Sequence, residues 1–91
     1  MDVVWTADAY RDRDAVWQYL FAENPQAAAD MDDRFAEAAD LIGTQPMMGK
    51  EGQIEGTREW LPHKSYRMIY EIWENKVYIL SIIHCSRLYP P

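Results

Sequence analysis

The sequence predicts a single α+β domain over residues 1–91, in which a short N-terminal strand and a hairpin of two helices pack on one face of an antiparallel sheet, in the order β-α-α-β-β-β. Apolar residues recur at three- and four-residue steps through the first half of the chain. Short runs rich in β-branched and aromatic residues fill the second half. The connections between these segments are short, so we expect consecutive segments to be neighbours in space.

The first helix is predicted from about residue 7 to residue 23, after a short strand signal at residues 3–5. Thr6 is placed to cap it, because a threonine side chain can accept a hydrogen bond from the first turn. The face that we expect to pack on the core is apolar and aromatic, and consists of Tyr10, Val16, Trp17, Leu20 and Phe21.

The second helix is predicted to begin at Asn24-Pro25, with Asn24 as the N-cap and Pro25 as the first helical residue. Gly43 and Pro46 mark its end. Its apolar stripe consists of Ala28, Met31, Phe35, Ala38 and Ile42. Because the joint between the two helices is so short, the sequence predicts an antiparallel helical hairpin.

After a loop at residues 46–56, the pattern predicts three strands at residues 57–61, 65–73 and 76–84. A two-residue turn at Glu74-Asn75 would place Trp73 opposite Lys76, Ile69 opposite Leu80, and Arg67 opposite Ile82. The opposite sheet face, which we expect to form the core beneath the helices, consists of Leu61, Tyr66, Met68, Tyr70, Ile72, Val77, Ile79 and Ile83.

This register would bring Arg67 and His84 to the same sheet face as diagonal neighbours, roughly 7–8 Å apart between backbones. A tight turn at His63-Lys64 would add Arg58 and Trp60 to that face. The sequence therefore predicts a functional face that gathers two arginines, a histidine and exposed aromatic residues.

Charge is divided unevenly along the chain, whose net charge is −6. Residues 1–45 hold three arginines and ten acidic residues, whereas residues 46–91 hold six basic and five acidic residues. An acidic chain is a poor general binder of nucleic acid, whose affinity comes largely from phosphate contacts. Any anion-binding site is therefore expected in the second half.

The single cysteine, Cys85, excludes an intrachain disulfide. No leader pattern opens the sequence and no apolar run is long enough to span a membrane, so we expect a cytoplasmic protein with no membrane partner. The spacing of its histidines and its cysteine predicts no metal site, and no glycine-rich phosphate loop or cofactor motif is present.

An ordered set of short motifs resembles the RelE/ParE superfamily of toxins. In the second half it consists of Gly56-Thr57-Arg58-Glu59, Pro62-His63, Ser65-Tyr66-Arg67, Tyr70-Glu71, and His84 and Arg87 before Pro90. The helical hairpin joined at Glu23-Asn24-Pro25 and the Pro-X-X-Gly at residues 46–49 extend the resemblance to nearly the whole chain.

The resemblance implies the toxin of a type II toxin–antitoxin module, which inhibits bacterial growth and is neutralised by a cognate antitoxin protein. Two activities occur on this fold, so the fold alone does not choose between them. ParE-like members poison DNA gyrase, and RelE-like members cut mRNA on the ribosome without a metal. A ParE-like gyrase poison is the main prediction, because the −6 charge fits a protein target better than RNA.

The RelE-like alternative would require cations and an acid–base group around the phosphate. Carried over by position from the resemblance, the catalytic set is Arg58, Arg67, His84, Arg87 and Tyr89. The second basic position of the first of these strands falls on Trp60 here, which departs from the nuclease pattern.

A surface for a protein partner is predicted from aromatic residues and the terminal segment, namely Trp60, Trp73, Tyr78, Arg87, Tyr89 and Pro90. Each candidate also has a purely structural interpretation. Arg67 could pair with Glu71, and His84 could be a hydrogen-bonded structural histidine. A non-toxic interaction module is a further alternative from another functional class.

Overall fold

The computed structural model describes residues 1–91 and has two helices and five strands. They are β1 (Asp2–Trp5), α1 (Ala7–Glu23), α2 (Pro25–Thr44), β2 (Lys50–Glu51), β3 (Arg58–His63), β4 (Tyr66–Trp73) and β5 (Lys76–His84). The strands form one sheet in the order β1-β5-β4-β3-β2. β1 runs parallel to β5 and the other pairs are antiparallel, so the sheet is mixed. The predicted α+β element order is confirmed, with β2 as a short addition in the predicted loop.

The helix starts follow the predicted capping chemistry. The Thr6 hydroxyl accepts a hydrogen bond from the Ala9 N–H (3.2 Å) at the start of α1. The Asn24 side chain accepts from two N–H groups of the first turn of α2, and Pro25 occupies the first helical position. These caps fix where the hairpin bends, because each satisfies backbone donors that have no partner inside the helix.

The main core lies between α2, α1 and one face of the sheet. Its buried residues are Ala9, Phe35, Ala38, Ala39, Ile42, Tyr66, Met68, Tyr70, Val77, Ile79 and Ile82. The predicted stripe of α2 is confirmed as inward-facing, with Phe35 in edge-to-face contact with Tyr66 at 5.7 Å between ring centroids. α2 therefore supplies most of the helical contribution to the core.

The aromatic stripe predicted as the core face of α1 lies largely outside the core. Tyr10 is 58% exposed and Phe21 is 48% exposed, whereas the only buried residue of α1 is Ala9. The small Ala9 side chain permits close approach to the sheet at β5, and β1 forms the sheet edge beyond it. The outer side of α1 consequently has no further strand or helix to cover it.

The β4–β5 hairpin begins as predicted, with Trp73 opposite Lys76 and both turn residues at positive φ. A β-bulge at Leu80 then shifts the register, so that Ile69 faces Ser81 and Arg67 faces Ile83. Without the bulge, the inward positions would include Ser81. The extra residue turns Ile82 toward the core instead. An isoleucine is therefore buried where a serine would otherwise lie.

The β3–β4 hairpin also differs from its predicted register. Its turn lies at Lys64-Ser65, and Trp60 pairs with Met68 while Arg58 pairs with Tyr70. A shift of one residue moves a whole strand face to the other side of a sheet. Arg58 and Trp60 therefore lie on the side of the helices, which corrects the prediction that they share a face with Arg67.

These two shifts define the faces of the sheet. The helix face carries Arg58, Trp60, Tyr66, Met68, Tyr70, Ile72, Val77, Ile79, Ile82 and His84. The open face, turned away from the helices, carries Glu59, Arg67, Ile69, Glu71, Trp73, Lys76, Tyr78, Ser81 and Ile83. The predicted inward positions of Leu61 and Ile83 are thus wrong, since Leu61 falls in the irregular part of β3 and is largely exposed.

Tyr70 connects the buried sheet to the loop after α2. Its fully buried hydroxyl donates to the Pro46 carbonyl (2.7 Å) and accepts from the Gly49 N–H (3.0 Å). The backbone at Gly49 also approaches so closely that an added Cβ would lie 2.5 Å from this hydroxyl. The hydroxyl therefore fixes the path of the loop.

Replacing Tyr70 with phenylalanine is expected to destabilise the fold by about 2 kcal/mol, because the buried Gly49 N–H and the half-buried Pro46 carbonyl lose their partner. Urea unfolding would measure the change, with Tyr78→Phe on the open face as the control. An effect of Tyr70→Phe no larger than that of the control would show that the loop is held by other contacts.

Candidate functional site

A buried ion pair lies at the centre of the open face. The Glu59 side chain is 1% exposed, and its carboxylate accepts from Arg67 (3.3 Å) and from the Gln53 N–H (3.0 Å). The Arg67 side chain is 18% exposed, and its Nε is buried without a hydrogen-bond partner. Arg67 therefore faces the buried carboxylate of Glu59, a partner that the sequence analysis did not assign to it.

The C-terminal segment crosses the same place. The Tyr89 ring lies 5.9 Å from the Arg67 guanidinium carbon, in the geometry of a cation–π contact. Burial raises the pKa of the Tyr89 hydroxyl above its usual value, and the nearby Glu59 charge adds to this while Arg67 opposes it. The structure thus brings together two of the predicted catalytic residues, Arg67 and Tyr89.

Arg58 is engaged elsewhere. Its guanidinium donates to the carbonyls of Met47 (2.9 Å) and Gly49, in the loop that Tyr70 also holds. Through these bonds to two backbone carbonyls, Arg58 stabilises the loop between α2 and β3. It does not point toward Arg67, because the two residues lie on opposite faces of the sheet.

His84 lies on the helix face at the end of β5, away from Arg67. Its Nδ1 accepts from the Ser86 N–H (3.0 Å), and its ring contacts the edge of Tyr66 at 5.1 Å between centroids. The backbone after β5 therefore holds the His84 ring against Tyr66. The predicted pairing of His84 with Arg67 on one ligand is therefore wrong.

A groove of about 450 Å³ separates α1 from the end of β5, and its lining includes His84. Asp12 accepts from the Ile82 N–H (3.0 Å) at its floor. Burial, with a smaller contribution from Tyr19, raises the pKa of Tyr66. The predicted site residue Arg87 also lines this groove, although its own side chain is exposed.

The predicted partner-binding residues are divided among four places, one of which is the groove that Arg87 lines. Trp73 and Tyr78 lie on the open face with Arg67, as predicted, and Trp73 is 62% exposed. Trp60 packs beside α2 on the helix face, which corrects its predicted position. Pro90 is exposed beyond Tyr89.

The sequence analysis assigned no role to Asp12, and it named Glu59 only as part of the Gly56–Glu59 motif. A signal for Glu59 was the alternation of β3, because Arg58 and Glu59 cannot share a face.

No group of three or more metal-ligating side chains converges anywhere in the structure. Neither helix has the length and apolar character needed to cross a membrane.

The fold matches that of a chain from the chromosomal ParDE toxin–antitoxin system of P. aeruginosa. The TM-score is 0.82 at 18% sequence identity, and the match covers 92% of this chain and 95% of the other. The arrangement of one strand, a helical hairpin and a sheet is that of RelE/ParE superfamily toxins.

Sequence comparisons identify the family within this superfamily. A family model described as the ParE toxin of the type II toxin–antitoxin system parDE matches residues 3–89. A candidate toxin, Y4kP, from Sinorhizobium fredii is 33% identical over 94% of this chain and 90% of its own length. The toxin RelE2 of Caulobacter vibrioides is 33% identical over 94% of this chain and 97% of its own length. The chain belongs to the ParE toxin family of type II toxin–antitoxin systems.

Proposed function

We propose that the chain is a ParE-like toxin that poisons DNA gyrase by binding it, with no catalysis of its own. The observation that carries this proposal is the dispersal of the basic residues that RNA cleavage would need. Arg58 is bonded to loop carbonyls, Arg67 is paired with buried Glu59, and His84 lies on the other face of the sheet. No cluster of free cations is left on the open face to stabilise the charge of a cleaved phosphate.

The charge of the molecule also supports a protein target. The chain carries −6, and a ribosomal RNA target would repel it over a range set by the salt concentration. The open face offers Trp73, Tyr78 and Tyr89, which are residue types enriched at protein interfaces. We therefore place the gyrase contact on the open face and on the terminal residues Arg87, Tyr89 and Pro90.

A cognate antitoxin is the second partner in this proposal, and the cytoplasm is the compartment. The ParDE system with which the fold matches is a toxin–antitoxin assembly. The antitoxin would hold the toxin inactive until it is removed. This regulation requires no cofactor on the toxin, because neutralisation follows from binding alone.

A ribosome-dependent mRNA endonuclease is the second candidate. Two observations favour it: the relative from Caulobacter vibrioides is named RelE2, and Arg67 lies beside Tyr89 with its Nε unpartnered. Because the Nε is buried, Arg67 could contact a phosphate only if the segment around Tyr89 moved aside. In that mechanism Arg58 and His84 would have to move to join them.

Supercoiling by purified gyrase and cleavage of mRNA on programmed ribosomes separate the two candidates. We expect the toxin to inhibit supercoiling and to leave ribosome-bound mRNA intact. The Arg67→Lys variant retains the charge opposite Glu59 but loses the planar guanidinium, so it should inhibit gyrase within about twofold of wild type. A nuclease would instead lose about 10²-fold in cleavage rate with this change.

Cleavage of mRNA with unaffected supercoiling would overturn the proposal in favour of the nuclease. Induced expression of the chain in bacteria first tests whether it is a toxin at all. Growth arrest that the antitoxin relieves is expected from either toxin. The absence of arrest at high expression would point to the non-toxic interaction module.

A further inference from the structure

We infer that the outer side of the helical hairpin is a docking surface for a basic, amphipathic segment of a partner protein. Its centre is a groove of about 450 Å³, here called the hairpin groove, lined by Tyr10, Arg13, Asp14, Trp17, Gln18 and Asp32. This surface is separate from the open face, and the inference does not depend on the target of the toxin.

The first argument is an apolar pattern that the chain itself does not bury. α1 repeats aromatic residues at helical spacing, a pattern that normally marks a core face. Tyr10 and Phe21 are nevertheless 58% and 48% exposed, and Phe21 stacks on Trp17 at 5.9 Å between ring centroids. Exposed aromatic side chains at both ends of this face, with half-buried Trp17 between them, leave apolar surface that a partner protein can cover.

The second argument is the charge around the stripe. Arg13 makes a two-bond ion pair with Asp32, at 2.6 and 3.0 Å, which raises the pKa of the arginine and neutralises both charges. Asp14 has no ion-pair partner, so it remains as uncompensated negative charge in the groove. The groove therefore combines aromatic walls with a free carboxylate, which suits an arginine or lysine side chain.

The structure already shows one cation bound in this way. The Arg13 guanidinium lies 4.7 Å from the centroid of the Trp5 ring, and Trp5 in turn contacts Tyr10 at 6.1 Å. An aromatic face in this region thus holds a guanidinium while Asp32 neutralises it. A partner arginine against Tyr10 or Trp17, with Asp14 as its counter-charge, would repeat the same chemistry one or two helical turns further along.

The charge of the first half of the chain favours a basic partner over a second copy of this chain. Residues 1–45 carry ten acidic residues against three arginines. Two hairpins that met through α1 would bring like charges together, which is unfavourable in a largely desolvated interface. A segment with arginine or lysine spaced among leucine-like residues would bury the aromatic stripe and compensate the acidic charge together.

Two synthetic helical peptides test this inference against the full-length protein. They share the same leucine positions and carry arginine or glutamate at all polar positions. We expect the arginine peptide to quench tryptophan fluorescence and the glutamate peptide to have no effect. Tyr10→Ala should weaken binding about fivefold and Asp14→Lys about tenfold, because each removes one part of the cation site. Raising the salt concentration from about 0.1 M to about 1 M should also weaken binding of the arginine peptide to the wild-type protein.

Asp40→Lys and Leu41→Ala are the matched controls, since both residues are exposed on α2 and outside the hairpin groove. They should leave the affinity within about twofold of wild type. Equal losses in the control variants would reduce the binding to general attraction by an acidic protein and overturn the inference. A dimer of the free protein that Tyr10→Ala dissociates would also overturn it, by making a second copy the occupant. Neither result would bear on gyrase inhibition, which is measured separately.

Discussion

Replacing Glu59 with alanine is expected to destabilise the fold by about 3 kcal/mol, because it leaves Arg67 largely buried and unpaired. The carboxylate is 1% exposed and is the ion-pair partner of that guanidinium. It also accepts from the Gln53 N–H, so the substitution removes a second bond at the same time. We further expect the segment around Tyr89 to loosen, since its ring packs against the arginine that Glu59 positions.

Urea unfolding of a short series of variants measures this effect and identifies its cause. Glu55→Ala, at an exposed position in the preceding loop, is the control and should change stability by less than about 0.5 kcal/mol. Arg67→Met alone should also be strongly destabilising. The double variant Glu59→Met with Arg67→Met should recover much of the loss, because an apolar pair can replace a buried ion pair at little cost. Additive losses in the double variant would contradict an energetic coupling between the two residues.

Replacing Phe35 with alanine is expected to destabilise the protein by about 4 kcal/mol, by removing a buried aromatic ring and leaving a cavity. Phe35 is 1% exposed and packs edge-to-face on Tyr66. A domain of this size has a total stability of about 5–15 kcal/mol, so the loss is a large part of it. The midpoint of thermal unfolding should fall by roughly 20 °C.

Phe21→Ala provides the matched comparison, because it removes the same side chain from the other helix. Phe21 is exposed and contacts Trp17 at the surface, so its removal should cost less than about 1 kcal/mol. Calorimetric unfolding of the two variants measures the difference. Similar losses for both would mean that the outer side of α1 is part of the core, and would also remove the basis for the docking surface.

Much of the fold could be predicted from local chemistry. Asn24 and Pro25 specify a helix start, Glu74-Asn75 specifies a two-residue turn, and the stripe around Phe35 specifies the inward side of α2. Each of these signals acts over a few neighbouring residues and is independent of the rest of the molecule. The element order follows from such signals, whereas the resemblance to the toxin family rests on the ordered short motifs of the second half.

The candidate site could be predicted only in part, because it depends on register. The bulge at Leu80 and the turn at Lys64-Ser65 each shift a strand by one residue. These shifts put His84 and Arg58 on the helix face and leave Arg67 on the open face. The path of the terminal segment brings Tyr89 beside Arg67. A short proline-rich segment has no periodicity from which this path could be predicted.

The sequence by itself determined the secondary structure, the hairpin of helices, the acidic first half and the resemblance to a toxin family. Only the tertiary structure decided which side of α1, of β3 and of the last part of β5 is buried. The physical reason is that amphipathic patterns specify a face but not the partner that covers it. α1 shows this clearly, because its small Ala9 approaches the sheet while Tyr10 and Phe21 remain outside. The pairing of Glu59 with Arg67 likewise arises from a register that long-range packing selects.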